Sequence, residues 1–156
     1  MHKPIKTKIN LFVDKLDKSG IGVSSMQNED VYFIPYALPG ETVKANIINK
    51  FKSKVYCSNL EILKNSSERS ENTCKHFTKC GGCFLQHWEY ENYKKWKFNS
   101  IRNPLLKLIS DVNILDMISA ENFSRRRTKF FLKQEYNNCI IGFKKYRSET
   151  LININN

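Results

Sequence analysis

The stretch Val31-Tyr32-Phe33-Ile34-Pro35-Tyr36-Ala37-Leu38-Pro39-Gly40-Glu41-Thr42-Val43-Lys44-Ala45-Asn46-Ile47 holds two strand-like runs around a loop. Val31–Ile34 is short and apolar. Two prolines and a glycine interrupt the chain at 35–41, the composition of a turn rather than of a continued strand. Val43, Ala45, Ile47 and Phe51 then recur on one side of the next run, the period-two pattern of a half-buried strand. Outward from there the same grammar repeats. Thr7 to Lys15 alternates, with Ile9, Leu11 and Val13 on one face. Ser19-Gly20-Ile21-Gly22 turns into a strand over Ile21–Ser25, and Gln27-Asn28-Glu29-Asp30 turns into Val31–Ile34. Val55–Leu63 is a fifth run. Five short strands at this pitch predict a small closed barrel of the OB-like kind. Such barrels commonly bind nucleic acid, although a fold alone does not assign a function.

Beyond the barrel, Asn65–Asn72 is polar and without an apolar anchor, and reads as a linker. From Trp88 the period changes. Phe98, Ile101, Leu105 and Leu108/Ile109 follow helical spacing, with Glu89, Glu91, Lys94, Lys95 and Lys97 on a solvated face. Pro104 is expected to stop or kink this helix, or to start a second short one. Residues 123–156 return to strands. Arg126, Thr128, Phe130 and Leu132 share one face; Arg125, Arg127, Lys129 and Lys133 share the other, with Phe131 among them. Asn137-Asn138 is a turn, Cys139–Lys145 pairs back, and Leu151–Ile154 begins a third strand. The fold class is therefore mainly β with a short helical segment, an α+β chain.

The chain has 156 residues, enough for one ordinary domain or two small ones. No apolar run approaches the roughly 20 residues that a membrane-spanning helix needs. The start, Met1-His2-Lys3-Pro4-Ile5-Lys6, lacks the apolar stretch of a signal peptide. Secretion and membrane spanning are not expected; a cytoplasmic protein is. Net charge is +11, with +4 over 1–78 and +7 over 79–156. That balance favours a polyanionic partner, most often nucleic acid. Lys, Asn and Ile make up a third of the chain and share A/T-rich codons, so codon usage is a second source of part of the basicity. The solid Arg125-Arg126-Arg127 triplet is less easily explained that way. Cations at strand pitch can track phosphates, and an aromatic in the same row suits a base. Arg125, Arg126, Arg127, Lys129 and Lys133 are the candidate RNA-binding residues.

Five cysteines, an odd number, and no secretion signal argue against a disulfide framework. Three fall together, as Cys74-Lys75-His76-Phe77-Thr78-Lys79-Cys80-Gly81-Gly82-Cys83. Cys80 and Cys83 have chelating spacing, and the two glycines let the loop wrap a metal site. Cys74, Cys80 and Cys83 with His76 or His87 would satisfy tetrahedral zinc. A 4Fe-4S cluster takes four thiolates, of which three are local. Spacing alone leaves zinc and iron–sulfur open. Cys57 and Cys139 sit in apolar strand-like runs and read as core thiols, with Cys139 also a candidate fourth ligand.

The block Cys74-x5-Cys80-Gly81-Gly82-Cys83-x-Leu85-Gln86-His87, followed by Tyr90 and Lys97, resembles the iron–sulfur signature of the RNA (uracil-5-)-methyltransferases. Leu16-Asp17-x2-Gly20-x-Gly22-Val23 and Val31-x-Phe33-Ile34-Pro35-x-Ala37-Leu38-Pro39-Gly40-Glu41 resemble the TRAM barrel of that family. Arg125–Arg127 and Ile141-Gly142-Phe143-Lys144-Lys145 resemble the start of its central β domain. The likeness is greatest to the enzymes that methylate uridine of 23S rRNA.

The resemblance implies a five-stranded TRAM barrel over 1–64, an iron–sulfur cysteine loop and helix over 65–112, and an incomplete antiparallel β domain over 113–156. It favours a 4Fe-4S cluster on Cys74, Cys80 and Cys83 over zinc, and makes His76 and His87 neighbours rather than ligands. The fourth cysteine of the family falls just past Asn156. The Rossmann-like domain, which houses the cysteine nucleophile, the base and S-adenosylmethionine, has no counterpart here, so no catalytic residue is assigned. The expectation is a truncated methyltransferase-like protein that binds RNA, rRNA or tRNA, and does not methylate alone. Its rivals are an independent RNA-binding module stapled by a metal, one half of a split enzyme completed by a separate chain, and a poorly folding product.

Overall fold

The computed structural model describes residues 7–25, 29–71, 74–109, 111–121, 124–136 and 138–154. The expected turn at Gln27-Asn28, the end of the polar stretch at Asn72, Asn137, and the two termini at Met1–Lys6 and Asn156 lie outside them. The chain divides into two compact units. One comprises the chain through Glu71 together with Phe84–Glu89; the other comprises 72–83 and Tyr90 onward.

The first unit is a curled sheet of β1 (Lys8–Phe12), β2 (Lys15–Leu16), β3 (Gly22–Ser25), β4 (Val31–Ile34), β5 (Thr42–Phe51) and β6 (Lys54–Lys64). Strand order is β1-β5-β6-β4-β3-β2, antiparallel except for β4 beside β6. Its two edge strands are consecutive in the chain. β1 pairs with β5 and β2 with β3, while Val13 N–H donates to the Glu41 carbonyl (2.9 Å) and Asp14 N–H to the Val23 carbonyl (2.8 Å). A single run of chain thus passes from one edge of the sheet to the other, which is what makes the sheet curl. Alternation fills the interior with Leu11, Val13, Tyr32, Ile34, Ala37, Val43, Ala45, Val55 and Cys57. Burial pushes the Cys57 thiol up to about 11, the behaviour of an inert core cysteine.

The expected face of β5 holds only in its first half. Val43 and Ala45 are buried, but Phe51 is 65% exposed. Register shifts at Lys44/Asn46 and Ile47/Asn49 break the period-two count before Phe51 is reached.

The described part of the polar stretch, 65–71, is no free linker. Ser70 N–H donates to the His87 carbonyl (2.9 Å), and Glu89 N–H to the Glu68 carbonyl (2.9 Å). Trp88 Nε1–H donates to Glu68 Oε2 at 2.7 Å. The segment 66–70 is therefore pinned to 84–89. The latter also places Phe84 flat against Tyr36 (5.3 Å between rings, 6° apart). Leu85 covers Gly20, whose φ of +82° and whose missing Cβ, which would stand 2.9 Å from Leu85, both call for glycine.

In the second unit, α1 (Tyr90–Leu108) continues through Pro104. The proline removes one backbone bond, to Ser100, but lies only one turn from the helix end, where Leu105-Leu106-Lys107 are good helix formers. Neither the expected stop nor a second helix is found. β7 (Phe131–Glu135), β8 (Asn138–Lys144) and β9 (Leu151–Asn153) form an antiparallel sheet in that order. β7 is shorter than its alternation predicts: residues 124–130 are irregular. Cys139 is not a core thiol. It is exposed near the end of the hairpin, opposite Gln134. Among the described residues no helix is long and apolar enough to cross a membrane.

Candidate functional site

The cysteine loop is wound by short backbone bonds. Phe77 N–H donates to the Cys74 carbonyl (3.0 Å) and Cys80 N–H to the His76 carbonyl (2.9 Å), with Thr78 at φ +68°. Phe77 is buried, and Cys74 and Cys80 are half-buried. Cys83 is exposed, and no cysteine of the chain is in a disulfide. Gly82 N–H donates to Cys80 Sγ (3.3 Å). Gly81 N–H donates to the Lys144 carbonyl (2.9 Å), and Cys80 bridges to Lys145, so the loop is tied to the end of β8.

The donor set therefore has the right chemistry for a metal or a cluster: three sulfurs on one loop, one of them already accepting a backbone N–H. Their geometry is not that of a finished site. Among the described residues no three His, Cys, Asp or Glu side chains converge into a metal-holding group. The loop carries a further nitrogen, since His76 Nε2 is buried with no hydrogen-bond partner among the described residues.

The expected cation row is divided. Arg125, Arg126, Arg127 and Lys129 are exposed and precede β7 rather than lying on it. Lys133 is on β7, but its ammonium is held 2.5 Å from Glu135 Oε1. Lys129 Nζ lies 5.4 Å from the centre of the Phe131 ring, and Lys144 Nζ lies 4.8 Å from it. Two ammonium groups thus lie near one aromatic ring, that of Lys144 being also paired with Glu149. Sequence reasoning found Lys129 and Phe131 but missed Lys144, which reaches them only because the β7–β8 register sets Phe131 opposite Gly142.

Sequence reasoning also missed the polar centre of the first unit. Arg69 donates from Nε to Glu41 Oε1 (2.5 Å), and from a terminal nitrogen to Glu41 Oε2 (2.9 Å) and the Tyr36 carbonyl (3.0 Å). Leu38 N–H donates to Glu41 Oε2 (2.8 Å), closing the Pro-rich loop. Burial opposes the charge on Glu41, but the Arg69 and backbone donors outweigh it and hold the carboxyl below its ordinary range. His87 is completely buried. Burial, reinforced by the Arg69 charge, pushes its imidazole down to about 4, with Glu41 and the Tyr36 backbone pulling the other way.

Comparison with known proteins places this geometry in context. An RNA methyltransferase of Brucella melitensis is 30% identical over 142 residues, 91% of this chain and 33% of its own length. One from Caulobacter vibrioides is 33% identical over 147 residues, 93% of this chain and 34% of its own. The 23S rRNA (uracil(1939)-C(5))-methyltransferase of Shewanella sediminis is 31% identical over 157 residues, 97% of this chain and 35% of its own. The chain spans about a third of the length of the curated relatives it matches. Among solved structures, the tRNA (uracil-54, C5)-methyltransferase of Pyrococcus abyssi, in complex with S-adenosyl-L-homocysteine, aligns with a TM-score of 0.47 at 23% identity, over 62% of this chain and 21% of that one. No family model matches the chain.

Proposed function

The chain is a relative of the RNA methyltransferases, and on that premise we propose that it serves as the RNA-holding part of a uracil-5-methyltransferase-like protein. The observation that carries this reading is Phe131 with the Lys129 ammonium beside its ring, shortly after the exposed Arg125-Arg126-Arg127. Cations track phosphates and the aromatic offers a stacking face, the combination used for unpaired RNA. The curled sheet of the first unit is read as an OB-like TRAM barrel that adds a second RNA surface. Structured rRNA is the proposed target, and tRNA is the other candidate. No residue of this chain is given a catalytic role. Methyl transfer from S-adenosylmethionine is assigned to sequence outside these residues, on the same or a separate chain, in the cytoplasm.

Cys74, Cys80 and Cys83 are proposed to hold a 4Fe-4S cluster, with the fourth iron ligated from elsewhere. Bound there, the cluster would cross-link the loop. The Gly82 N–H already donated to Cys80 Sγ is the kind of backbone contact that a cluster-binding loop offers its sulfurs. One observation favours a second reading: the unpartnered His76 Nε2 makes a Cys3His zinc site chemically reasonable.

The test is binding of the purified chain to fragments of 23S rRNA across a salt series. Tight binding that weakens steeply with salt, and is lost on replacing Arg125, Arg126 and Arg127 with Ala, supports the reading. Salt-insensitive binding, or none, refutes it.

A further inference from the structure

Beside the cysteine loop the second unit has an open cleft of about 490 Å3, lined by the Gly81-Gly82 backbone, the rings of Phe131, Phe143 and Tyr146, and the cations Lys145 and Arg147. We propose that this cleft is a subsite for one unpaired nucleotide of the bound RNA, the base lying against the aromatic rings and its phosphate against Lys145 and Arg147. The proposal rests on the RNA reading above and narrows it to a place.

Several features of the cleft point the same way. Its volume falls within the range of small-ligand sites, roughly 300–1,000 Å3. Three rings in one small cleft supply flat apolar surface, and a base offers a matching flat face whatever its identity. Arg147 lies 5.4 Å from the centre of the Tyr146 ring, so cation and stacking face come as one unit. Among the described residues that line the cleft, the one carboxylate, Glu149, is paired with Lys144, and Lys145 and Arg147 bring further positive charge to its wall. The glycine pair matters too. Gly81 and Gly82 both line the cleft, and at Gly82 an added Cβ would stand 3.7 Å from the Phe143 ring, so backbone and aromatic surface lie side by side there.

The site also has a consequence for the loop. Gly81 is bonded to Lys144, and Cys80 is bridged to Lys145. A nucleotide seated here would touch the segment that sets the position of Cys80. Occupancy of the cleft and order in the cysteine loop are thereby linked.

The experiment uses the full chain and a single-stranded RNA oligomer carrying one 2-aminopurine, read by anisotropy for affinity and by fluorescence quenching for stacking. Wild-type protein is expected to bind and to quench. Tyr146→Ala is expected to weaken binding by about tenfold and to abolish the quench, whereas Tyr146→Phe keeps both. Lys145→Ala and Arg147→Ala are each expected to lower the slope of log affinity against log salt by about one. Circular-dichroism melts matching wild type show that the variants are folded. If wild type binds RNA but Tyr146→Ala binds and quenches equally well, the cleft is not the subsite, while the RNA reading stands. If adenosine monophosphate alone binds as tightly as the oligomer, the site serves a free nucleotide and the proposal falls. If wild type binds no RNA, both readings fail together.

Discussion

Arg69 and Glu41 face each other across 28 residues of sequence, two guanidinium nitrogens on two carboxylate oxygens, with the Glu41 side chain fully withdrawn from water. The pair is more than a contact between two side chains. Glu41 also gathers the Leu38 N–H, and Arg69 gathers the Tyr36 carbonyl, so the Pro35–Glu41 loop and the 66–70 segment are held by one set of bonds.

Removing the cation leaves a buried carboxylate with too few partners. Arg69→Ala is expected to cost about 3–5 kcal/mol, measured by urea unfolding. Arg69→Lys recovers little, because a single ammonium cannot span both carboxylate oxygens and the Tyr36 carbonyl. Glu41→Gln should cost less than Arg69→Ala, since the amide oxygen still accepts one donor.

His87 gives the stability a pH dependence of known sign. Its folded pKa, about 4, lies below the ordinary 6.5. Between these values the unfolded chain takes up a proton that the folded chain refuses. Stability is therefore full above about pH 6.5 and falls as pH drops toward 4, by on the order of 3 kcal/mol in all. Glu41, held below its ordinary 4.5, adds its own loss only at lower pH. Urea midpoints measured at several pH values check this. A His87→Leu chain should show a flatter curve between pH 6.5 and 4.5.

Gly81 and Gly82 should respond differently to the same substitution. A Cβ at Gly81 would stand 2.8 Å from the Lys144 carbonyl oxygen and 2.9 Å from Tyr146 N, both backbone atoms. Gly81→Ala is expected to cost about 1–3 kcal/mol and to release the loop from β8, seen as faster amide exchange at residue 81. At Gly82 the nearest atom would be Cys80 Sγ at 3.4 Å, so Gly82→Ala should be milder.

The metal proposal predicts a division among the cysteines. After anaerobic reconstitution, iron content should fall when Cys74, Cys80 or Cys83 becomes Ala, and should be unchanged by Cys139→Ala or Cys57→Ala. Stoichiometric zinc, lost on His76→Ala, would transfer the site to the second reading. Stripping the metal by chelation should lower the melting temperature of the second unit.

The two lysines of β7 and its approach should not be equivalent. Lys133 is already paired with Glu135, while Lys129 lies over Phe131. Lys129→Ala is expected to weaken RNA binding several-fold, and Lys133→Ala by less than twofold. Equal losses would mean that the Glu135 pair opens on binding.

What the sequence disclosed depended on how local the signal was. The alternation at Leu11/Val13 and Val43/Ala45 is readable because each strand carries its own pattern, and the structure buries those residues. Arg69 is different. Asn65–Asn72 is polar throughout, and nothing nearby in sequence announces a carboxylate 28 residues upstream. The over-long β7 has a specific cause. Continuing its register would set Lys129 opposite Lys144 and Thr128 opposite Lys145. Gly81 and Cys80 already hold those places. The alternation of Arg125–Phe130 is genuine, but a different segment has taken the edge it would have used. In the site, clustering of Cys74, Cys80 and Cys83 was visible at once, whereas Lys144 over Phe131 needed the ladder.

The pairing of Ser70 with His87 and of Glu68 with Glu89 bears on how this chain can be cut and rebuilt. The first unit comprises the chain through Glu71 and then Phe84–Glu89, so what lies between them is topologically an insert between two stretches that are already paired at 68–70 and 87–89. A fragment ending at residue 64 would discard Arg69, Leu85 and His87, and with them its own lid. Exchanging 72–83 for a short Gly-Ser bridge should instead leave the first unit intact, because the ends to be joined are held together without it. The excursion can thus change in length and content while its host stays folded.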